Sequence, residues 1–461
     1  MNFNSFRFIL LFSTVVLLNS CLDTTDTTVL SSDASFVSLT LAKNDSVKLA
    51  VFTLVGDTIV NLDSLPYNTK VDSVYPTFSF KSVGRVTLFF PPGSIKDSMI
   101  ITGTDTVNFT KPIRVRNYAT DLVHYKDYYV KVNVHRVQPE LYVWKNLGET
   151  LSPQSANNQK TIMQNDSMFY YLNDGTTAYL FISKDGSSWN SKNITGFPVN
   201  TPIEDLIQFN GKFYVTRDVN NIYSSSNGLN WAKLAVTTFN FKSLLYVFNN
   251  KLWAVVQASD LSYHFATSTN GVNWDMLTGE LPANFPVRGF ASLSFATRTG
   301  KPKVLVLGGY SASDEYLKSN FSSEDCKYWI NFSSENSIGR HSLDSLAPGS
   351  SIISYDNKLL LFGAVEKDGL MTGNYYRQSI DEGMSWQVSD TTYNRIREAY
   401  VSKVSGTERD TILYNNLPFR SFQSVVVNNS HQIFIVGGKS NTKMMLDIWT
   451  GKLNRKSFVR Q

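Results

Sequence analysis

Two cysteines in 461 residues, at positions 21 and 326, leave little room for disulfide chemistry and supply no thiol cluster for zinc. Five histidines (His124, His135, His264, His341 and His431) do not fill that gap, because none lie at metal-ligand spacing. Charge is sparse. Asp, Glu, Lys and Arg make up 18% of the chain, the formal net charge is +5, and no run of like charges occurs. That balance gives no reason to expect a nucleic-acid partner. No Gly-x-Ser-x-Gly, P-loop or dinucleotide fingerprint is present. The sequence therefore offers no cofactor, no metal site and no catalytic residue that can be named from a motif.

What it has is a repeat ending in tryptophan. Ser183-Lys184-Asp185-Gly186-Ser187-Ser188-Trp189 returns as Ser225-Ser226-Asn227-Gly228-Leu229-Asn230-Trp231 and as Ser268-Thr269-Asn270-Gly271-Val272-Asn273-Trp274. Ser323-Glu324-Asp325-Cys326-Lys327-Tyr328-Trp329 has Cys326 in place of glycine, and Ser379 to Trp386 is one residue longer. The tryptophans are 42, 43, 55 and 57 residues apart, and Trp144 lies 45 residues before Trp189. Periods of this size belong to four-stranded propeller blades. Each period also contains the expected strands. Ile203–Gln208 and Lys212–Thr216 flank Asn210-Gly211, which is a strong hairpin signal, and Ile222–Ser225 follows. Similar pairs flank Asn249-Asn250, Asp356-Asn357 and Asn428-Asn429.

The last set of strands, ending in Asp447–Lys452, has no box turn after it, whereas Trp144 sits on a strand with no blade before it. Pairing the two closes a ring of six blades and removes free sheet edges. A strand near Lys456–Phe458 is the alternative partner.

The Ser-x-Asp-(x)-Gly-x-x-Trp turn resembles the Asp-box of sialidases and other propeller proteins, and Gly308-Gly309 and Gly437-Gly438 resemble kelch repeats. Physically, Ser and Asp accept backbone N–H bonds inside the turn, glycine supplies a positive φ, and the tryptophan covers the hairpin and packs toward the next blade. The turn with Cys326 is expected to be distorted. Calcium or ligand binding by the boxes is weighed against blade packing, and packing is favoured because the unit recurs around the ring.

Residues 1–20 read as a signal peptide: Arg7, then an apolar run too short to span a membrane, then Ser20. Leu18-Asn19-Ser20-Cys21 resembles a bacterial lipobox, which makes Cys21 the lipid-attachment residue, with residues 21–33 as a polar tether. Lipidation would leave Cys326 as the only thiol, with no intramolecular disulfide. Residues 34–137 read as a small antiparallel β-sandwich built from Phe36–Leu41, Val47–Leu54, Thr77–Phe80, Arg85–Phe89 and Tyr128–Val134. Leu65-Pro66-Tyr67-Asn68-Thr69, Tyr75-Pro76-Thr77 and Asp127–Val132 resemble Ig-like modules of Bacteroidota surface lipoproteins, with Asn68 standing where those modules carry glycine.

The expected fold class is all-β: an N-terminal Ig-like β-sandwich followed by a six-bladed β-propeller over residues 138–461. The whole layout resembles an uncharacterised Bacteroidota lipoprotein family. That resemblance implies a monomer anchored through Cys21 in the cell envelope, at the outer membrane. The expected function is non-enzymatic, a binding or scaffold module for a glycan or protein.

The alternative is a divergent sialidase-like glycoside hydrolase or lyase. Sialidases need an Arg triad, and their usual Arg-Ile-Pro segment is missing. Arg217, Arg288 and Arg377 fall on separate blades and could converge, although scattered arginines are more often solvated. Trp253 and Trp449, outside the boxes, are sugar-platform candidates, with core packing the favoured reading. The carboxylates that can be placed, Asp185, Asp325, Asp356 and Asp381, lie mostly in turns, where backbone N–H groups occupy them. A cluster of carboxylates and arginine at one mouth of the channel would favour the enzyme.

Overall fold

The computed structural model describes residues 29–454 apart from short internal stretches, of which 150–156, 334–342 and 404–409 are the longest. The signal peptide, Cys21, most of the tether and the strand expected near 456–458 lie outside the described residues. The described residues fall into two compact units, divided near residues 139 and 140.

In the first unit, strands of alternating burial build a six-stranded sheet. Its order is Phe52–Val55, Thr58–Asn61, Tyr125–Lys131, Ile113–Tyr118, Arg85–Phe89 and Ser98–Ile100. Ile59, Leu88, Val115 and Val130 are fully buried in its core. Phe36–Ala42 pairs separately with Tyr75–Phe80. Two expectations need correction. The sheet is not purely antiparallel, since Thr58–Asn61 runs parallel to Tyr125–Lys131. Val47–Leu54 is not one strand either. Val47 is buried, but Leu49 and Val51 are exposed, so the pattern does not alternate, and Asp45–Lys48 forms a helical turn before Phe52–Val55. Asn68 does adopt the positive φ expected of it, 64°.

Among the described residues, the second unit contains six four-stranded antiparallel sheets. Sheet one is Asn158–Gln164, Ser167–Asn173, Ala178–Ser183 and Asn190–Lys192. Sheet two is Ile207–Phe209, Lys212–Arg217, Asn221–Ser225 and Ala232–Lys233. Sheet three is Asn240–Phe248, Lys251–Gln257, Tyr263–Ser268 and Asp275–Glu280. Sheet four is Ala291–Ala296, Pro302–Leu307, Asn320–Ser323 and Ile330–Asn331. Sheet five is Ser351–Tyr355, Lys358–Phe362, Tyr376–Ser379 and Gln387–Val388. An extra hairpin, Val365–Lys367 with Leu370–Thr372, accounts for part of the long interval before Trp386. Sheet six takes Ser424–Val427, Ile433–Lys439 and Met444–Leu453, and its fourth strand is Tyr142–Glu149.

The box turns join third and fourth strands, as the repeat implied. Ser183 Oγ accepts the Gly186 N–H at 2.9 Å, and Asp185 Oδ1 accepts Ser187 N–H and Ser188 N–H, each at 2.9 Å. Asn227 and Asn270 do the same work in the next two boxes. The Cys326 turn is not distorted. Cys326 adopts φ 60°, Ser323 Oγ accepts its N–H at 2.8 Å, and Asp325 Oδ1 accepts Lys327 N–H and Tyr328 N–H. What changes is the indole. Trp189, Trp231 and Trp274 donate Nε1–H to the glycine carbonyl of their own box, whereas Trp329 Nε1 and Trp386 Nε1 are buried without a partner among the described residues.

The direction of packing also differs from expectation. Each tryptophan lies against the preceding sheet, not the next. Trp231 is packed with Tyr171 and Leu180 of sheet one, Trp386 with Leu305 of sheet four, and Trp144 with Leu360 and Phe362 of sheet five. In the four boxes that keep glycine, the missing Cβ lets the turn itself abut the second strand of the preceding sheet, where Gly228 O accepts the Tyr171 hydroxyl at 3.0 Å.

Candidate functional site

Short hydroxyl side chains stitch several neighbouring inner strands together. Ser243 Oγ donates to Val287 O at 2.7 Å, Ser292 Oγ to Leu245 O at 2.6 Å, and Ser351 Oγ to Gln423 O at 2.5 Å. Ser424 Oγ accepts Thr161 N–H at 2.8 Å and so joins sheet six to sheet one. Asp205 does this work in sheet two, where Oδ2 accepts Leu244 N–H at 3.0 Å and the Thr216 hydroxyl at 2.5 Å.

The segments leading into the inner strands share a second repeat. Pro286-Val287-Arg288-Gly289-Phe290-Ala291-Ser292 matches Pro418-Phe419-Arg420-Ser421-Phe422-Gln423-Ser424, and Phe241-Lys242-Ser243 carries its end. The double glycines lie under these segments. Gly309 faces Arg288 O, and Gly438 faces the Arg420 side chain, each where a Cβ would collide. Arg420 is buried, binds Asp447 through two bonds of 2.8 Å, and donates to Gly437 O at 2.9 Å. Its counterpart Arg288 stays exposed at the rim, with Asp314 at 2.9 Å and the Tyr310 ring at 4.2 Å.

Together these elements enclose a cavity of about 550 Å³, lined by residues from all six sheets. That size is typical of small-molecule pockets. Lys160, Glu204, Asp205 and Arg288 bring both signs of charge to its wall. Lys160 and Glu204 attract each other, yet no direct salt bridge joins them among the described residues. Each keeps some accessible surface but lies deep among surrounding atoms. Burial pulls the Lys160 ammonium below its usual range and pushes the Glu204 carboxyl above its own, with Lys160 opposing the latter. Burial also pushes Asp205 up to about 6, against the pull of Thr216 and Leu244 N–H. Four polar atoms of the wall are buried without a partner among the described residues: Gln159 Nε2, Thr161 Oγ1, Asp205 Oδ1 and Gln423 Oε1.

The residues singled out from sequence have other places. Of the three arginines, Arg288 reaches the cavity, Arg377 is buried on the third strand of sheet five rather than solvated, and the Arg217 side chain lies outside the described residues. Trp253 and Trp449 are core side chains of sheets three and six. Backbone N–H groups hold Asp185 and Asp325 below the usual carboxylate range, chiefly those of Ser188 and Tyr328. No group of three potential metal ligands gathers among the described residues, and His341 lies outside them.

Residues 138–461 match the DUF6242 beta propeller domain, and residues 22–132 match the N-terminal domain of DUF6242, a domain of unknown function. The chain belongs to the DUF6242 family. No curated protein matches it. Among solved structures, the DUF6242 chain is similar to YjhT at 14% identity and TM-score 0.41, over 65% of this chain and 95% of that one. It is similar to a sialidase of Trypanosoma rangeli at 11% identity and TM-score 0.41, over 66% and 59% of the two chains. It is also similar to an α-L-arabinofuranosidase of Fusarium graminearum at 9% identity and TM-score 0.39, over 68% and 98%. Glycoside hydrolases stand among its structural neighbours, so the expectation of a non-enzymatic chain is corrected to a role that is not established.

Asp205 gives a pH test. An aspartate in the unfolded chain titrates near 3.9, so a folded value of about 6 is raised. The stability that the protonated form contributes is complete below about pH 4 and is lost as pH rises through about 6. Asp205→Asn keeps an acceptor for Thr216 and Leu244 N–H and removes the charge. Urea unfolding should show the variant equal to wild type at pH 4 and more stable at pH 8, by on the order of 2 kcal/mol. A variant weaker than wild type at pH 8 would show that the ionised carboxylate stabilises the fold.

Proposed function

We propose that the DUF6242 propeller has six blades and binds a small polar ligand in its central cavity. The observation that carries this reading is the set of buried polar atoms without partners in one cavity wall. A buried unpaired donor or acceptor costs about 1–3 kcal/mol. The wall groups Gln159, Thr161 and Gln423 are 3%, 3% and 4% exposed, and they share the cavity with the charged groups of Lys160 and Glu204. A concave volume of about 550 Å³ suits a small molecule or the end of a glycan better than a protein surface. A second reading, turnover of a bound glycoside, is favoured by the adjacent carboxyls Glu204 and Asp205, both held toward the protonated form.

The rest of the chain fits a display role. In this reading residues 21–33 are a tether and residues 34–137 an Ig-like spacer. The protein is a monomer held in the cell envelope, at the outer membrane, by lipid on Cys21. Metabolic labelling with a fatty-acid probe should mark wild type and not Cys21→Ala, and equal labelling of the two would remove the anchor.

For the cavity, thermal shift with a panel of sugars, amino acids and nucleosides should identify a class that raises the melting temperature of wild type. Saturation at a hundred times Kd corresponds to about 2.7 kcal/mol. Lys160→Met and Glu204→Gln should reduce the shift, and product release from an aryl glycoside would establish turnover. A panel that shifts nothing would remove the ligand-binding reading.

A further inference from the structure

The described cavity wall contains one non-glycine residue with positive φ, and it carries an aromatic ring. Phe422 has φ 55°. Positive φ is an outlier for a bulky side chain, and such residues cluster at ligand clamps and active sites. Its counterparts in the lead-in repeat, Phe241 and Phe290, do not share this conformation.

Several contacts impose it. Phe422 N–H donates to Gly349 O at 2.9 Å, and Gly349 N–H donates to Gly289 O at 2.9 Å, a ladder linking sheets six, five and four. A Cβ on Gly349 would meet the Phe422 ring at 2.5 Å, so glycine lets the ring pack directly against the backbone. The neighbouring Ser421 is fixed by two backbone bonds to Lys439. The ring is backed by Gly349 yet remains half-buried and lines the cavity.

Resting on the cavity reading above, we infer that the ligand is a pyranose ring. Its C–H face lies on Phe422, and its hydroxyls bridge Lys160 and Glu204. The chemistry requires both features at once. A pinned aromatic face offers apolar contact to a flat partner. The Lys160 ammonium offers donors, and the Glu204 carboxyl offers an acceptor oxygen in either protonation state, so neighbouring hydroxyls that both give and take hydrogen bonds match the pair. An amino acid would satisfy the charges but has no flat face for the ring. An acyclic polyol has the hydroxyls but no rigid C–H face.

The test is saturation-transfer NMR on the full mature chain with methyl glycosides of glucose, galactose, mannose and N-acetylglucosamine. Sorbitol, glutamate and adenosine complete the panel. At least one pyranoside should bind, with strongest transfer to its ring C–H protons, and sorbitol should not. Phe422→Gly removes the ring while suiting the positive φ, so it should fold and lose affinity tenfold or more. Phe422→Tyr should keep affinity within about threefold, and Glu204→Gln should weaken binding.

If glutamate or adenosine binds and no pyranoside does, the sugar assignment fails and the cavity reading stands. If nothing in the panel binds, both fail. If a pyranoside binds equally to wild type and Phe422→Gly, the ring is not the platform, and the inference is overturned.

Discussion

Tyr142–Glu149 belongs to the start of the second unit's chain, yet it hydrogen-bonds as the outer strand of a sheet whose other three strands come from its end. The register runs from Leu453 opposite Tyr142 to Asp447 opposite Glu149. Gly451 faces Trp144, and any Cβ there would enter the indole. Trp144 in turn fills the space against sheet five. An open array of sheets would expose unpaired backbone groups at both ends. This pairing removes those edges and holds the first and last sheets in place without a covalent bond.

The central cavity depends on that closure, because no sheet builds it alone. Each inner strand contributes a few side chains, and the hydroxyl stitches set their mutual positions. The bond from Thr161 N–H to Ser424 Oγ crosses the junction between the first and last sheets. It holds Gln159 and Lys160 beside Gln423. The buried Arg420–Asp447 pair anchors the segment that carries Phe422, and Trp449 Nε1 also donates to Asp447, at 2.8 Å. A buried ion pair is weak evidence for stability, but it specifies one arrangement when every hydrogen bond is made. The consequence here is a fixed lead-in to the cavity.

The sheets were legible in the sequence because their signals are local. Asn210-Gly211 takes φ 48° and 75°, and Asp356-Asn357 takes 53° and 58°, as tight hairpins require. The Ser-x-Asp-Gly turns announced their own hydrogen bonds. The cavity was not legible, because Lys160, Glu204, Arg288 and Phe422 lie far apart in sequence and meet only when the ring closes. One usable signal went unread: the match of Pro286–Ser292 with Pro418–Ser424, which marks the lead-in to two inner strands. The paired tryptophan repeat drew attention to the outer half of each sheet instead. Two local inferences failed for physical reasons. Cys326 tolerates positive φ because its turn bonds are all kept, and its thiol is buried, which pushes it up to about 12. The tryptophans pack backwards, against the preceding sheet, and where the box keeps glycine the turn rests on that sheet as well.

Hydrogen exchange of backbone amides, resolved along the chain, tests the dependence on closure most directly. If Tyr142–Glu149 and Met444–Leu453 lock the ring, their amides exchange only with global unfolding, as slowly as those of Lys251–Gln257 in sheet three. Exchange of Tyr142–Glu149 through local opening, orders of magnitude faster than sheet three, would show that the ring stands without its lock and would contradict the account.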